Sequence, residues 1–425
     1  MNIEIKNGRL IDPASGYDAV TNVYIVNGKI AAIGEAPSHF QATRTLDASG
    51  LIVSPGLVDL SARLREPGFE YKATLVSEMN AAVAGGITSL ACPPDTDPPL
   101  DEPGLVEMLK HRARQLNLTN VYPIGALTQQ LKGQRLTEMA ELTDAGCVAF
   151  SQMDQPFESN LSLMRALQYA ATFGFSVWLR AQDHGLSAQG VAHDGEVASR
   201  LGLAPIPVAA ETVAISTVLL LVKETGARVH FCRVSSASGL QMIRDAKQQG
   251  LPITCDVGVH HVHLSDNDIG YFDPHYHMVP PLRSTYDRDA IRAGLMDGTI
   301  DAICSDHTPV DEDAKLLPFA ESEPGATGLE VLLPLTLRWA EQQQLPIDQA
   351  LAKISVQAAR ILGVPAGELS VGKVADICIF DPEAEWKVEA KSLVSQGKHS
   401  PFAGMLMRGK VRFTLVNGNI VYQAE

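Results

Sequence analysis

Pro55-Gly-Leu-Val-Asp-Leu-Ser-Ala-Arg-Leu-Arg-Glu-Pro-Gly68 is the stretch on which the reading of this chain turns. Its first half completes an apolar run, Leu51–Leu60, that reads as a β-strand, and its second half is polar and closed by Pro67-Gly68. Seven more strand candidates follow: Ile87–Pro94, Val121–Leu127, Cys147–Ser151, Ser176–Ala181, Arg228–Val234, Ile253–Val259 and Asp301–Ser305. Helical patterns lie between most of them. Leu75, Met79, Ala82 and Val83 share one helix face that stops at Gly85-Gly86, and Ile215, Leu219 and Val222 share another. Eight strands alternating with helices predict an α/β chain built as a (β/α)8 TIM-like barrel. In such a barrel the active site lies at the C-terminal ends of the strands.

The two ends of the chain read differently. Ile5-Lys-Asn-Gly-Arg-Leu10, Ile25-Val-Asn-Gly-Lys-Ile30 and Leu415-Val-Asn-Gly-Asn-Ile420 each set Asn-Gly between β-formers, a hairpin signal because a type I′ turn needs positive φ at both central residues. Residues 1–50 and 365–425 are therefore expected to fold together as a small β-sandwich domain flanking a barrel of residues 51–364.

Composition narrows the function classes. With 34 Lys+Arg against 49 Asp+Glu the net charge is −15, which argues against nucleic acid or an anionic membrane as partner. No signal peptide is expected at Met1-Asn-Ile-Glu-Ile-Lys6, and the most apolar long stretch, Ile206–Val222, is too short to span a bilayer and contains Glu211. Six cysteines without a CxxC pattern, among them Cys92, Cys232, Cys255 and Cys304 in strand-like runs, fit reduced core residues of a cytoplasmic protein.

Five further segments carry motifs: Asp95-Thr-Asp-Pro-Pro-Leu-Asp101, Pro280-Pro-Leu-Arg283, Asp297-Gly-Thr-Ile-Asp-Ala-Ile303, Ser305-Asp-His-Thr-Pro309 and Gly325-Ala-Thr-Gly-Leu-Glu330. With Pro55–Gly68 they resemble the dihydroorotases, cyclic amidohydrolases of the amidohydrolase superfamily, over nearly the whole chain. The resemblance implies metal ligands from five strands, and most of those positions are changed. The His-x-His of the first strand is Ser61-Ala-Arg63. The strand-4 carboxylate or carboxylated lysine falls at Gln152 or Met153. The strand-5 histidine is Arg180 and the strand-6 histidine is Arg233. Only Asp306 on strand 8, the family's proton shuttle, keeps its group, with His307 beside it as a further relic. On the substrate side Arg65 survives, while the family asparagines before Thr96 and Pro280 have become Asp95 and Val279.

A catalytic zinc needs about three protein ligands and an open position for water. Serine ligates zinc poorly and arginine stays protonated, so no resident metal or other cofactor is expected. The resemblance is to inactive dihydroorotase-like chains that assemble with the catalytic chain of aspartate carbamoyltransferase. It implies a structural subunit of pyrimidine biosynthesis, homo-oligomeric as well, with regulation of the partner as a further role. Two other readings remain open: a divergent metal-dependent cyclic amidohydrolase, and a small-anion sensor that uses Arg65, His307 and the new arginines. The arginines Arg63, Arg180 and Arg233 are expected to fill the space of a metal dication and to pair with Asp306, Asp154 and Asp183. His260, His261, His263, His275 and His277 fall in a long loop, His260–Arg283, where His261 and His263 would share a face if extended and could hold a relocated metal.

Overall fold

A computed structural model describes residues 2–424. Eight parallel strands form one sheet, in spatial order matching chain order: Leu57–Asp59, Ile87–Cys92, Asn120–Ala126, Ala149–Ser151, Ser176–Leu179, Arg228–Phe231, Ile253–Gly258 and Ala302–Cys304. Just past the last and first strands the sheet closes on itself: Ala62 and His307 form a parallel bridge, Arg63 N donates to His307 O (2.9 Å) and His307 N to Ser61 O (3.1 Å). This closure sets the first- and eighth-strand residues side by side at the barrel mouth.

Helices cover the outside. The Leu75–Ala84 helix starts at a Thr74 capping box and buries Leu75, Met79, Ala82 and Val83. It ends at Gly85, after which Gly86 takes a φ of 81°, and a Cβ at Gly85 would sit 2.3 Å from the Leu329 carbonyl. The Val208–Thr225 helix buries Ile215 and Val222. All six cysteines are free, five of them buried, and burial pushes the Cys92 and Cys147 thiols up to about 12. Among the described residues no helix is long and apolar enough to cross a membrane.

The termini share the second sheet, in the order Asn419–Gln423, Leu406–Val416, Ile377–Lys387, Ile52–Pro55, Asn2–Asp12, Tyr17–Val26, Lys29–Ile33, with Arg44–Asp47 also beside Asn2–Asp12. Its apolar side gathers Ile3, Ile5, Val23, Ile25, Leu46, Val53, Ile377, Ile379 and Leu415 into a core of its own.

Three expectations change. The run Leu51–Leu60 is two strands: Ile52–Pro55 belongs to the terminal sheet and Leu57–Asp59 to the barrel, so the chain crosses at Gly56, whose missing Cβ makes room for Thr88. Asn27-Gly28 and Asn417-Gly418 turn hairpins with φ of 50°, 78°, 52° and 71°, but Asn7-Gly8 does not. It is a bulge inside Asn2–Asp12 where the register shifts, Gly8 lies tight against Val53, and the strand changes neighbour from Arg44–Asp47 to Ile52–Val53. Finally, Val259–His263 is a helical turn rather than extended loop, so His261 and His263 do not share a strand face.

Candidate functional site: an arginine–carboxylate cluster at the barrel mouth

Three arginines converge on one carboxylate. Asp154 lies three residues past the fourth strand, after a turn in which Met153 takes a φ of 52°. Its Oδ2 accepts from Arg63 Nη2 (3.0 Å), and its Oδ1 accepts from Arg233 Nη2 (2.9 Å) and from Arg180 Nε. Arg63 also donates from Nε to Asp95 Oδ2 (2.7 Å) and from Nη1 to Thr308 Oγ1 (2.8 Å). Arg233 Nη1 donates to Asp306 Oδ1 (3.1 Å) and to the Val279 carbonyl (3.0 Å), and Arg63 Nη1 stands 3.9 Å from the same Asp306 oxygen. Arg180 donates its Nη1 to Gln182 Oε1.

The backbone aims these groups. Arg233 and Asp306 both carry positive φ, 54° and 46°, immediately past their strands, which turns each side chain into the mouth. Such φ values are uncommon outside glycine and persist where surrounding contacts over-determine them. The guanidiniums are almost wholly buried, with side chains of Arg63, Arg180 and Arg233 exposed by 6, 5 and 2%. Three arginine charges face three carboxylates, Asp95, Asp154 and Asp306, so the cluster is neutral as a unit. A guanidinium keeps its proton at any ordinary pH, so burying three of them requires this compensation.

Burial alone would push the Asp154 carboxyl up, but the charges of Arg180, Arg233 and Arg63 outweigh it and hold it far below the usual carboxylate range. Asp306 goes the other way: burial raises it, against the pull of Arg233 and Arg63. A depressed folded pKa contributes stability that is present above the ordinary value of 3.8 and is lost as pH falls below it. The gap in unfolding free energy between wild type and Asp154→Asn is therefore expected to be full above about pH 5 and to narrow toward about pH 3. Urea titrations across that range measure it, and a gap independent of pH would contradict the ion-pair account.

Several residues lie elsewhere than the sequence reading placed them. Gln152 is not in the cluster. Its Oε1 accepts from Thr128 Oγ1 and its Nε2 donates to the Leu131 carbonyl, both at 2.8 Å, so the strand-4 group at the mouth is Asp154, two residues on. Asp183 caps the short His184–Ser187 helix through Leu186 N instead of pairing with an arginine. His307 points away from the mouth into the wall. It is fully buried, accepts from Gly328 N at Nδ1 (3.0 Å) and donates from Nε2 to Glu78 Oε2 (2.6 Å). An anion held between Arg65 and His307 is ruled out by that orientation. Ser61 sits buried at the closure and presents its carbonyl to His307 N. Arg65, with a φ of 63°, donates Nε to the Pro309 carbonyl (2.9 Å) and lines a cavity of about 310 Å³ with Arg63, Asp95, Asp154, Asp306 and Glu323.

Three of the histidines of 260–277 are tied up inside the protein. His260, His261 and His263 each bond a backbone carbonyl, of Thr327, Pro280 and Leu335, and burial lowers their pKa to about 3, 4 and 3. Glu78, the partner of His307, was not singled out from sequence, although a glutamate among Leu75, Met79 and Ala82 stands on a buried helix stripe and is a readable signal.

The donor set at the mouth does not fit a catalytic metal. Guanidiniums offer no lone pair, and Asp154 and Asp306 already accept from them. Among the described residues no group of three or more His, Cys, Asp or Glu is arranged to hold a metal ion.

Comparison with known proteins gives a consistent picture. Residues 50–238 match the family model described as dihydro-orotase-like, and residues 214–421 match that of the amidohydrolase family. The chain is 47% identical over 423 residues to a dihydroorotase-like protein of Pseudomonas aeruginosa and 46% identical over 425 to one of Pseudomonas putida. It is 41% identical over 424 residues to a protein of Geobacter sp. strain M21 named dihydroorotase. In all three pairs both chains are covered in full. Among solved structures, L-hydantoinase from Arthrobacter aurescens superposes with a TM-score of 0.89 at 27% identity, over 99% of this chain and 96% of that one.

Proposed function

Because the chain belongs to the dihydroorotase-like amidohydrolase family, we propose that it is a catalytically inactive member acting as a structural subunit, and that its partner is the catalytic chain of aspartate carbamoyltransferase in pyrimidine biosynthesis. The observation that carries this reading is the seating of three guanidiniums, Arg63, Arg180 and Arg233, on Asp154 at the barrel mouth. A metal-dependent hydrolase draws on its ion to lower the pKa of bound water from about 16 toward 7 and to polarise the scissile carbonyl. Here fixed cations satisfy the carboxylates such an ion would use, and a guanidinium can neither bind nor activate water as a metal does.

The fold is retained although its usual chemistry has lost its ligands, which suits a chain whose outer surface is what matters. Mixing the chain with the aspartate carbamoyltransferase chain of the same organism tests the partner. The expected result is a large co-eluting complex in native mass measurement, with transferase activity that depends on this chain. An unchanged mass together with unchanged activity would remove the assembly.

A second reading, a divergent cyclic amidohydrolase, draws on relatives at 41% identity that carry the name dihydroorotase. It requires zinc-dependent turnover that relies on Asp306.

A further inference from the structure

The rings of His275 and His399 meet at the rim, where the loop 264–278 touches the segment 393–404 that leads back to the terminal sheet. His275 Nε2 stands 3.3 Å from His399 Nδ1, in hydrogen-bonding orientation. The two outer nitrogens are engaged by groups that can only accept. His275 Nδ1 is 2.8 Å from Asp273 Oδ1, and His399 Nε2 is 3.0 Å from the Asp311 carbonyl and 3.2 Å from that of Glu312. Carboxylate and carbonyl oxygens supply no proton, and a neutral imidazole has one N–H, so when both rings are neutral each carries its proton on the outer nitrogen. The two inner nitrogens are then bare lone pairs facing each other across 3.3 Å.

Two facing lone pairs repel, and a cation between them removes the repulsion. Tetrahedral zinc with Zn–N of about 2.0–2.1 Å sets an N···N edge of roughly 3.3–3.4 Å, which is the separation observed. The outer contacts match as well, since zinc-bound histidines donate their other N–H to a carboxylate or a backbone carbonyl. The His275 side chain is 37% exposed, so an ion can reach it.

We propose that His275 and His399 form a two-histidine site for a divalent transition metal of the zinc class, with water in the remaining positions and Asp273 orienting His275. The ion clips the rim loop to the returning segment. Neither histidine lines the mouth cavity, so the site is separate from the arginine cluster and does not depend on the function proposed for the chain. A shared proton is the competing occupant of the same gap.

Zinc titration by calorimetry and cobalt(II) titration by visible absorption, on the full chain at neutral pH, test this. Expected are one equivalent bound, a tetrahedral cobalt spectrum, and a rise in melting temperature on adding zinc. Asp273→Ala weakens binding about 10- to 100-fold, and His275→Ala and His399→Ala weaken it by more than that. His275→Gln, which keeps the size of the side chain, must behave like His275→Ala, and the melting curve without metal verifies that each variant is folded. Absence of saturable binding by folded wild type, or binding that survives both histidine variants, overturns the proposal.

Discussion

Replacing Arg233 by alanine lowers the free energy of unfolding by about 3–5 kcal/mol, against about 0.5 kcal/mol or less for Arg165→Ala on an exposed helix surface. The asymmetry has a specific source. Arg233 is the close partner of Asp306, which is buried and whose other cation, Arg63, stands 3.9 Å away. Deleting the guanidinium leaves that carboxylate without its nearest charge, removes one of the three cations on Asp154, and takes the donor from the Val279 carbonyl. Removing one member of a buried pair is far more costly than the pair is worth, because the survivor remains desolvated. The same reasoning makes the double variant Arg233→Met with Asp306→Asn recover part of the loss, which a packing defect alone would not. Chemical denaturation measures both. Equal effects of Arg233→Ala and Arg165→Ala would sink the idea that the mouth arginines compensate buried carboxylates.

The second large effect lies in the wall behind the mouth. Glu78 has no solvent exposure and accepts from His307 Nε2 (2.6 Å), Ser395 Oγ (2.7 Å), Gln396 N (3.0 Å) and Ser77 Oγ (2.8 Å). Burial pushes its carboxyl up, but the His307 and serine hydrogen bonds more than offset this and leave it below its ordinary value. One side chain thus ties the first barrel helix to the eighth-strand end and to the segment that returns to the terminal sheet. Ser77 Oγ keeps the Thr74 carbonyl as an acceptor, so Glu78→Ala leaves three donors, His307 Nε2, Ser395 Oγ and Gln396 N, without one, at about 1–3 kcal/mol each before relaxation, and a loss of about 3–5 kcal/mol is expected. Glu78→Gln keeps an acceptor oxygen and should cost less than half as much. Urea unfolding decides it, and a Glu78→Ala loss below about 1 kcal/mol would mean that water replaces the carboxylate.

Much of this was legible in the sequence because each piece is locally encoded. Apolar runs of fixed length named the eight barrel strands within a few residues, since a strand buried on both faces needs an uninterrupted apolar stretch. Asn27-Gly28 and Asn417-Gly418 announced their turns for the same local reason. What failed was set by tertiary partners. Nothing in Leu51–Leu60 tells that Ile52–Pro55 pairs with Ile377–Phe380, over 320 residues away in the chain. Asn7-Gly8 has the composition of a hairpin turn, yet the approach of Val53 makes it a bulge.

The site shows the same division. The resemblance to the dihydroorotases singled out Arg63, Arg180 and Arg233 at strand ends, and strand geometry brings them to one point. It did not give the direction of Gln152 or His307, because side-chain direction just past a strand follows the turn and not the strand's alternation. The pairing of His275 with His399 had no sequence signal, being a contact between segments 124 residues apart.

The measurement that bears most directly on the central claim, that this barrel mouth is charge-compensated and not catalytic, is the interconversion of dihydroorotate and carbamoyl-aspartate by the purified chain in the presence of added zinc, with Asp306→Asn run in parallel. No turnover above the uncatalysed rate is expected from either protein. Turnover by wild type that requires zinc and disappears in Asp306→Asn would contradict that claim and would make the chain a working hydrolase.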